Sequence, residues 1–335
     1  MNTPSVSWVI PTLNSTRTLE RCLASIRAQE YPGEVEIVIA DAGSTDGTVE
    51  LARAYGVDQL IDNPLETGES GKARGARAAK GEVLAFVDSD NVLVGKDWLL
   101  RMTAPFADPD VVSSEALRWE YAPGYSLIDR YCALTGINDP ASLFVGNYGR
   151  HSYLTGRWTG FPVEEEQRNG YIRVRVDPEL LPTMGANGYL VRAEPFRSAM
   201  TGDYVFDIDA VGMLARGGFD LVARVDVPIG HLFAVTYRDF ARKTRRRARD
   251  YLYYSRRGER TYPWKRYRRG LVLFTLATVT TVPLLAQSVV GYARKPDRAW
   301  WFHPVACWTT LAVYGWEAVR ARIKPERLTR RGWRQ

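Results

Sequence analysis

Asp88 and Asp90 stand two residues apart in the stretch EVLAFVDSDN, residues 82–91. Two carboxylates this close repel each other unless a cation or a set of donors lies between them. The chemistry they offer is a hold on a divalent metal and on the nucleotide part of a phosphorylated donor. The plainer reading of the same residues is a strand-to-turn junction with two solvated acids. Residues 83–87 before them are small or apolar and uncharged, as a strand buried on both faces of a parallel sheet would be. Such a strand delivers its terminal acids to the carboxyl edge of an open α/β sheet, where these folds bind ligands.

The elements around that strand alternate. Residues 5–10 (SVSWVI) read as a strand closed by Pro11. Residues 15–29 place Leu19, Cys22, Leu23 and Ile26 at helical spacing, with Ser15 or Thr16 as cap. A second strand (residues 34–40), a helix (48–55), a short strand (59–61) and a helix (72–79) follow. The order strand–helix–strand predicts an α/β fold with a doubly wound, mostly parallel sheet. Beyond Asn91 the pattern predicts a helix over 97–106 and strands over 111–114, 189–192 and 222–227. It also predicts a helix within 203–218, with acids in its first turn and glycines past its end. Residues 116–179 carry no sustained periodicity but are rich in Tyr, Trp, Gly, Asn and Arg. So long an irregular stretch points to function, and it is expected to shape an acceptor pocket.

Composition narrows the classes. The chain has 335 residues, 45% hydrophobic and 25% charged, with a formal net charge of +7, which suits one large domain or two modest ones. Cys22, Cys132 and Cys307 are too widely spaced for a disulfide framework or a zinc site, so reduced cytosolic thiols are expected. The N-terminal MNTPSVSWVIPTLN lacks a basic region followed by an apolar core, so the N-terminal domain is expected in the cytosol. Much of the positive excess follows Tyr237. Residues 238–269 are strongly basic with interleaved Tyr and Phe, which implies an anionic partner such as a membrane surface, lipid phosphate or nucleic acid. Residues 271–292 are uncharged and mostly apolar over about one bilayer thickness. Residues 299–318 form a second apolar stretch, rich in Trp and Tyr, with only Glu317 charged. The pair reads as a helical hairpin through the membrane with both basic flanks on the cytosolic side. Buried soluble helices or two interfacial ones are the other readings, because Pro283, Gln287, His303 and Pro304 interrupt the spans.

Three motifs in order carry a family resemblance: PTLN (residues 11–14) after the first strand, ADAGSTDGT (40–48) after the second, and DSD (88–90) after the fourth. Together they resemble the family 2 glycosyltransferases, inverting enzymes of GT-A fold, over roughly the first 240 residues, strongly as far as Asn91 and thinly beyond. The resemblance implies that Pro11, Thr12, Leu13 and Asn14 line the nucleotide pocket and that Asp41 reads the base of a nucleoside-diphosphate sugar. Ala42 stands where many relatives carry a second acid, so Asp41 has that contact alone. Asp88 would meet the ribose or the metal, with Ser89 beside it, and Asp90 would coordinate Mg²⁺ or Mn²⁺ bridging the diphosphate. Lys72 and Arg74 occupy a segment that could reach the diphosphate from a helix N-terminus, although Gly75 replaces the usual Asn; the alternative is a solvated basic face. The position of the general base falls on Asp207, with Asp209 as capping or orienting neighbour and Asp203 as a further candidate. Phe206 replaces the first acid of the relatives' pair. A late histidine of these enzymes often completes the metal site, and His231 is the residue here. The Gln-x-x-Arg-Trp motif of long-polymer synthases is missing, so processive synthesis is not expected.

The expected division is a GT-A domain over 1–237 (donor half 1–115, acceptor half 116–237), a basic juxtamembrane segment over 238–269, two membrane helices over 270–320 and a basic cytosolic tail over 321–335. The expected activity is metal-dependent transfer of a single sugar to a polyprenyl-phosphate or lipid-linked acceptor at the cytosolic face of the cell membrane. The alternative is a non-catalytic membrane anchor or nucleic-acid binder on the same scaffold, since basic residues among aromatics also suit single strands. Nucleic acid is the less favoured partner. No GxGxxG follows the first strand, which disfavours a Rossmann dehydrogenase, and the Gly-rich loop of sugar nucleotidyltransferases is absent there too.

Overall fold

The computed structural model describes residues 3–200, 202–262 and 264–323. In chain order the first elements are β1 (Val6–Thr12), α1 (Thr16–Arg27), β2 (Val35–Asp41), α2 (Thr48–Ala54), β3 (Gln59–Asp62), α3 (Gly68–Ala78), β4 (Val83–Phe86), β5 (Asn91–Leu93), α4 (Trp98–Thr103) and β6 (Ser113–Trp119). Then come α5 (Leu127–Thr135), α6 (Ala141–Val145), β7 (Glu164–Arg168), β8 (Tyr171–Arg175), β9 (Tyr189–Arg192), α7 (Ala193–Ala199), α8 (Asp207–Arg216) and β10 (Leu221–His231). Among the described residues the last four α-helices are α9 (Tyr237–Arg256), α10 (Arg268–Thr280), α11 (Val282–Arg294) and α12 (His303–Ile323).

The chain forms two compact units, one from the described residues of 1–120 and 161–232, the other from 121–160 and those from 233 on. This cut differs from the linear division expected above, because residues 121–160 group with the C-terminal helices rather than with an acceptor half. Residues 324–335, most of the expected tail, lie outside the described residues.

The first unit holds the sheet, whose order among the described residues is β3-β2-β1-β4-β9-β6-β10-β8-β7, with β5 added on β10. β3, β2, β1 and β4 run parallel, and β9 then enters antiparallel between β4 and β6. The sheet is therefore mixed, and its parallel half is the one the motifs follow. The middles of its central strands are apolar because helices cover them. Trp8, Val9 and Ile10 on β1 and Ile37, Val38 and Ile39 on β2 are fully buried. Glycines let α3 lie close on β1. A Cβ at Gly75 would fall 2.4 Å from the Val9 side chain, and one at Gly71 would fall 2.8 Å from Pro11.

The periodicity-free stretch after Ala116 contains β6, α5, α6 and the β7–β8 hairpin. β6 and α5 are buried on most sides and the hairpin is largely exposed, so neither shows the alternation of a half-buried element. β7 (EEEQR) is exposed along its whole length.

In the second unit α9 begins with a capping box, Thr236 accepting from the Asp239 amide at 3.2 Å and Asp239 reaching back to the Thr236 amide. Part of its basic sequence is internal: Arg249 pairs at 3.1 Å with Glu317 of α12, whose side chain is buried. The hairpin expected over 270–320 does not consist of two straight helices. Over residues 271–292, α10 and α11 meet at Thr281 with a bend of 92°. Thr281 has φ +62°, and Pro283 removes a donor at the start of α11, so the helix cannot run straight through. The second expected span divides between a 3₁₀ turn (Arg298–Phe302) and α12. Among the described residues no single helix is long and apolar enough to cross a membrane.

Candidate active site

The carboxyl ends of β1, β2 and β4 bring the motifs to one edge. Thr12 ends β1 opposite Asp41, the last residue of β2. The Asp41 carboxylate accepts from Thr12 Oγ1 at 2.8 Å, Ser44 Oγ at 2.6 Å, and the amides of Gly43 and Ser44 at 2.9 and 2.8 Å. Asn14, at φ +49°, closes the same knot: its amide donates to Ser44 Oγ and its Oδ1 accepts from the Thr45 amide. PTLN and DAGST are thus one hydrogen-bonded loop pair, with Asp41 as its centre. The acid that the resemblance assigns to base reading is, in this geometry, the group that folds the loop.

The DSDN turn is tied by a residue the motif analysis passed over. Asn91 Oδ1 accepts from the Asp88 amide at 2.8 Å, and the Asn91 amide donates to the Asp88 carbonyl at 2.9 Å. Its Nδ2 donates to Asn187 Oδ1 at 3.0 Å. Asn91 also opens β5, which pairs antiparallel with β10 so that Asn91 faces His231. The Leu232 amide donates to the Asp90 carbonyl at 2.8 Å. That register sets His231 Nε2 3.8 Å from Asp90 Oδ1, with the imidazole edge-on to Trp119 at 5.0 Å between ring centres. Ser89 turns the other way, donating to Ser15 Oγ at 3.1 Å.

A second cluster faces Asp88. Lys72, buried on α3, holds its Nζ 2.8 Å from Asp207 Oδ1 and 3.4 Å from Asp88 Oδ1. Burial opposes the Lys72 charge, yet Asp207 and then Asp88 outweigh it and raise its pKa. Burial pushes Asp207 up to about 7; Lys72 opposes that shift and Asp88 adds to it. Even so, 27% of the Asp207 side chain meets solvent, which leaves a path for a proton. Asp207 opens α8 after Phe206, whose side chain makes no capping bond. Asp209, two positions on and about 200° around the same helix, is buried.

Not every expected residue joins. Arg74 lies two positions from Lys72, about 200° around the helix, and is exposed. Asp203 sits at the surface, where it pairs with Arg77 at 2.9 Å. One support was invisible in sequence. Glu115, ion-paired with Arg224 in the core, accepts from the Gly185 amide at 3.2 Å. A Cβ at Gly185 would fall 2.3 Å from the Asp207 carbonyl oxygen. Glu115 and Gly185 thereby fix where α8 starts. A buried acid with no motif around it gave no signal; the GANG run at residues 185–188 did, as a string of small residues where backbones approach closely.

The donor set can be tested against a hard divalent cation. Among the described residues no three His, Cys, Asp or Glu side chains form a closed cage. Asp90 and His231, with Asp88 nearby, offer a partial set, and Mg²⁺ is ordinarily held by one or two carboxylates with substrate phosphates completing the shell. The residues fit a cation shared with a diphosphate.

A mixed, mostly parallel sheet carrying its polar residues at the carboxyl edge is a GT-A-like fold. Residues 7–124 match the family model described as Glycosyl transferase family 2, so the resemblance drawn from PTLN, ADAGSTDGT and DSD holds over that segment. The glycosyltransferase AglE of Haloferax volcanii is 27% identical over 155 residues, covering 44% of this chain and 50% of that protein. An N-acetylglucosaminyltransferase of Bradyrhizobium elkanii is 30% identical over 115 residues, 32% of this chain and 63% of the relative. The chain thus spans about half to three-fifths of the length of these two relatives. Among solved structures, the mannosyltransferase PcManGT of Pyrobaculum calidifontis, in complex with GDP-Man and Mn²⁺, is similar in fold. Its TM-score is 0.54 at 17% identity, covering 95% of this chain and 88% of that one.

Proposed function

We propose that this protein is an inverting glycosyltransferase that moves one sugar from a nucleoside-diphosphate sugar to a lipid-phosphate or lipid-linked saccharide acceptor at the cytosolic face of a membrane. The observation that carries the reading is the meeting of Lys72, Asp88 and Asp207 beside the Asp90–His231 pair at the carboxyl edge of the sheet. The family match over 7–124 and the glycosyltransferase names of the relatives support it.

In this reading the PTLN and DAGST loops form the floor under the nucleotide. Asp90 and His231, with Asp88, would hold Mg²⁺ or Mn²⁺, which when bound offsets the charge of the departing diphosphate. Lys72 keeps Asp88 and Asp207 from repelling one another and adds positive charge on the donor side. Asp207, poised near neutrality, takes the proton of an acceptor hydroxyl as that oxygen attacks the anomeric carbon. An acceptor that arrives as a phosphate anion needs no base, and Asp207 then serves to hold Lys72 in place. The basic residues of α9 and the apolar helices that follow support a lipid-borne acceptor.

The test is to incubate membranes containing the protein with a panel of labelled nucleotide sugars, with and without Mn²⁺ or Mg²⁺, and to identify the labelled lipid. Label in the lipid fraction that depends on the cation and disappears with Asp90→Asn is the expected result. No transfer from any donor, or full activity in Asp90→Asn, overturns the reading.

A further inference from the structure

We infer that α10 and α11 form a re-entrant wedge that dips into one leaflet of an anionic bilayer and returns to the same side. The inference goes beyond the reading above by saying how the chain meets lipid, and donor binding by the first unit does not depend on it. Three independent features of the second unit carry it.

The first is an outward apolar surface. On these helices the buried strip is narrow, made of Phe274, Ala277, Thr278, Leu284, Ser288 and Gly291. Most of the large apolar residues face out: Leu273, Leu276, Val279, Val282, Leu285 and Val289 are exposed. Exposure rises to 70% at Val282, beside the bend. Residues 271–293 contain no charge. An apolar surface this continuous marks an interaction site, and here its outer shell is that of a segment dissolved in hydrocarbon.

The second is length and shape. Each helix has 13 residues, about 20 Å at the α-helical rise, against about 30 Å of hydrocarbon. With a 92° bend between them, the pair cannot cross as a straight rod. The bend is held from within the unit: Trp308 Nε1 donates to Thr281 Oγ1 at 3.0 Å, and the Ser288 hydroxyl donates to the Trp300 carbonyl at 2.9 Å. Several polar groups at the bend are satisfied internally, as lipid requires. The Thr281 amide reaches the Ala277 carbonyl at 2.9 Å, and the Leu284 amide reaches the Thr281 carbonyl at 3.0 Å. The exposed hydroxyls of Thr275 and Thr280 donate back to Leu271 and Leu276 carbonyls of their own helix at 2.9 and 2.8 Å.

The third is the rim. Arg268 and Arg269 precede the apolar run and Arg294, Lys295 and Arg298 follow it, so both ends carry the charge that anionic headgroups attract. Tyr292 and Trp301, whose rings lie 6.4 Å apart, sit at that level, where aromatic residues favour the membrane interface. A second copy of this chain would bring like charges together along the rim; anionic lipid neutralises them.

The experiment adds the full chain to preformed phosphatidylcholine vesicles, with and without phosphatidylglycerol, using Arg269→Cys, Val282→Cys and Ala293→Cys. Cys22, Cys132 and Cys307 are buried and stay silent toward a membrane-impermeant maleimide. Flotation with the anionic vesicles, weakening as salt rises, is expected. Labelling at position 282 is lost on binding, and a fluorophore there is quenched by lipids brominated in the acyl chain, while positions 269 and 293 both keep labelling from outside. Protection at 293 with 269 still reactive means a span and overturns the inference. Continued labelling at 282 in the presence of vesicles, or protection at 282 without vesicles through self-association, overturns it as well. Val282→Glu, at a side chain exposed in the fold, is expected to abolish flotation with an unchanged melting curve; flotation equal to wild type counts against the wedge. Cation-dependent donor binding, measured without vesicles, fails or survives separately.

Discussion

Lys72 of α3 and Asp207 of α8 are 135 residues apart in sequence and share a 2.8 Å ion pair at the sheet edge. The Lys72 ammonium also lies 3.4 Å from Asp88, so one cation separates two carboxylates that would otherwise repel. Lys72→Met leaves both acids facing each other. Breaking a buried pair by removing one partner costs about 3–5 kcal/mol, and the partial exposure of Asp207 places this variant toward the lower figure. Urea unfolding is the check. The double variant Lys72→Met/Asp207→Asn is expected to recover part of the loss, because the unpaired charge is gone.

The raised pKa of Asp207 makes both stability and rate depend on pH. In the unfolded chain this carboxyl ionises near 3.8, in the folded protein at about 7. Between those values the folded state holds the extra proton, so the stabilising contribution is full below about 4 and is lost as pH rises toward 7. The stability difference between wild type and Asp207→Asn should therefore change across pH 4–7 and level off above it. If Asp207 is the base, kcat/KM for a hydroxyl acceptor rises with pH through an acid limb near 7. A pH–rate profile for wild type that lacks this limb removes Asp207 from that role.

His231 and Asp90 are 3.8 Å apart because β5 and β10 pair in one register. His231→Phe preserves an aromatic ring against Trp119 and removes both nitrogens. Calorimetric titration with Mn²⁺ in the presence of a nucleoside diphosphate should show affinity falling by about 10–100-fold, the scale on which even the outer partners of a metal site count. An unchanged Mn²⁺ affinity would remove His231 from the metal site.

Gly185 combines φ +102° with backbone of Asp207 where a side chain would stand. Gly185→Ala must therefore push back the first turn of α8 in addition to straining its own backbone, at a cost of about 1–3 kcal/mol for the conformation alone. Sugar transfer is expected to fall further than thermal stability does, since the displaced residue is Asp207. Arg74→Ala, on the exposed side of α3, is the matching control and should leave the melting temperature unchanged.

Much of the donor half was legible from residues 1–91. Strands with apolar middles, separated by helical periods, admit few arrangements, and the acids at their ends are local in sequence. The same local pattern made residues 271–292 look like one straight helix. Composition records that a stretch is apolar but not that Thr281 turns the chain, since a bend depends on what packs against each side of it. The irregular stretch after Ala116 hid its elements because their stability comes from partners distant in sequence rather than from periodic faces.

The sequence by itself determined which chemistry was present: paired acids after a buried strand, the PTLN and DAGST loops, and a basic, apolar C-terminal third. Only the tertiary structure decided which of those groups meet. It set Lys72 between Asp88 and Asp207, put His231 beside Asp90 through strand register, and left Arg74 at the surface. The reason is that charge pairing acts over a few ångströms in space, while sequence spacing fixes distance only within one element. Everything joined across elements waits on packing, down to the 2.8 Å between Lys72 and Asp207.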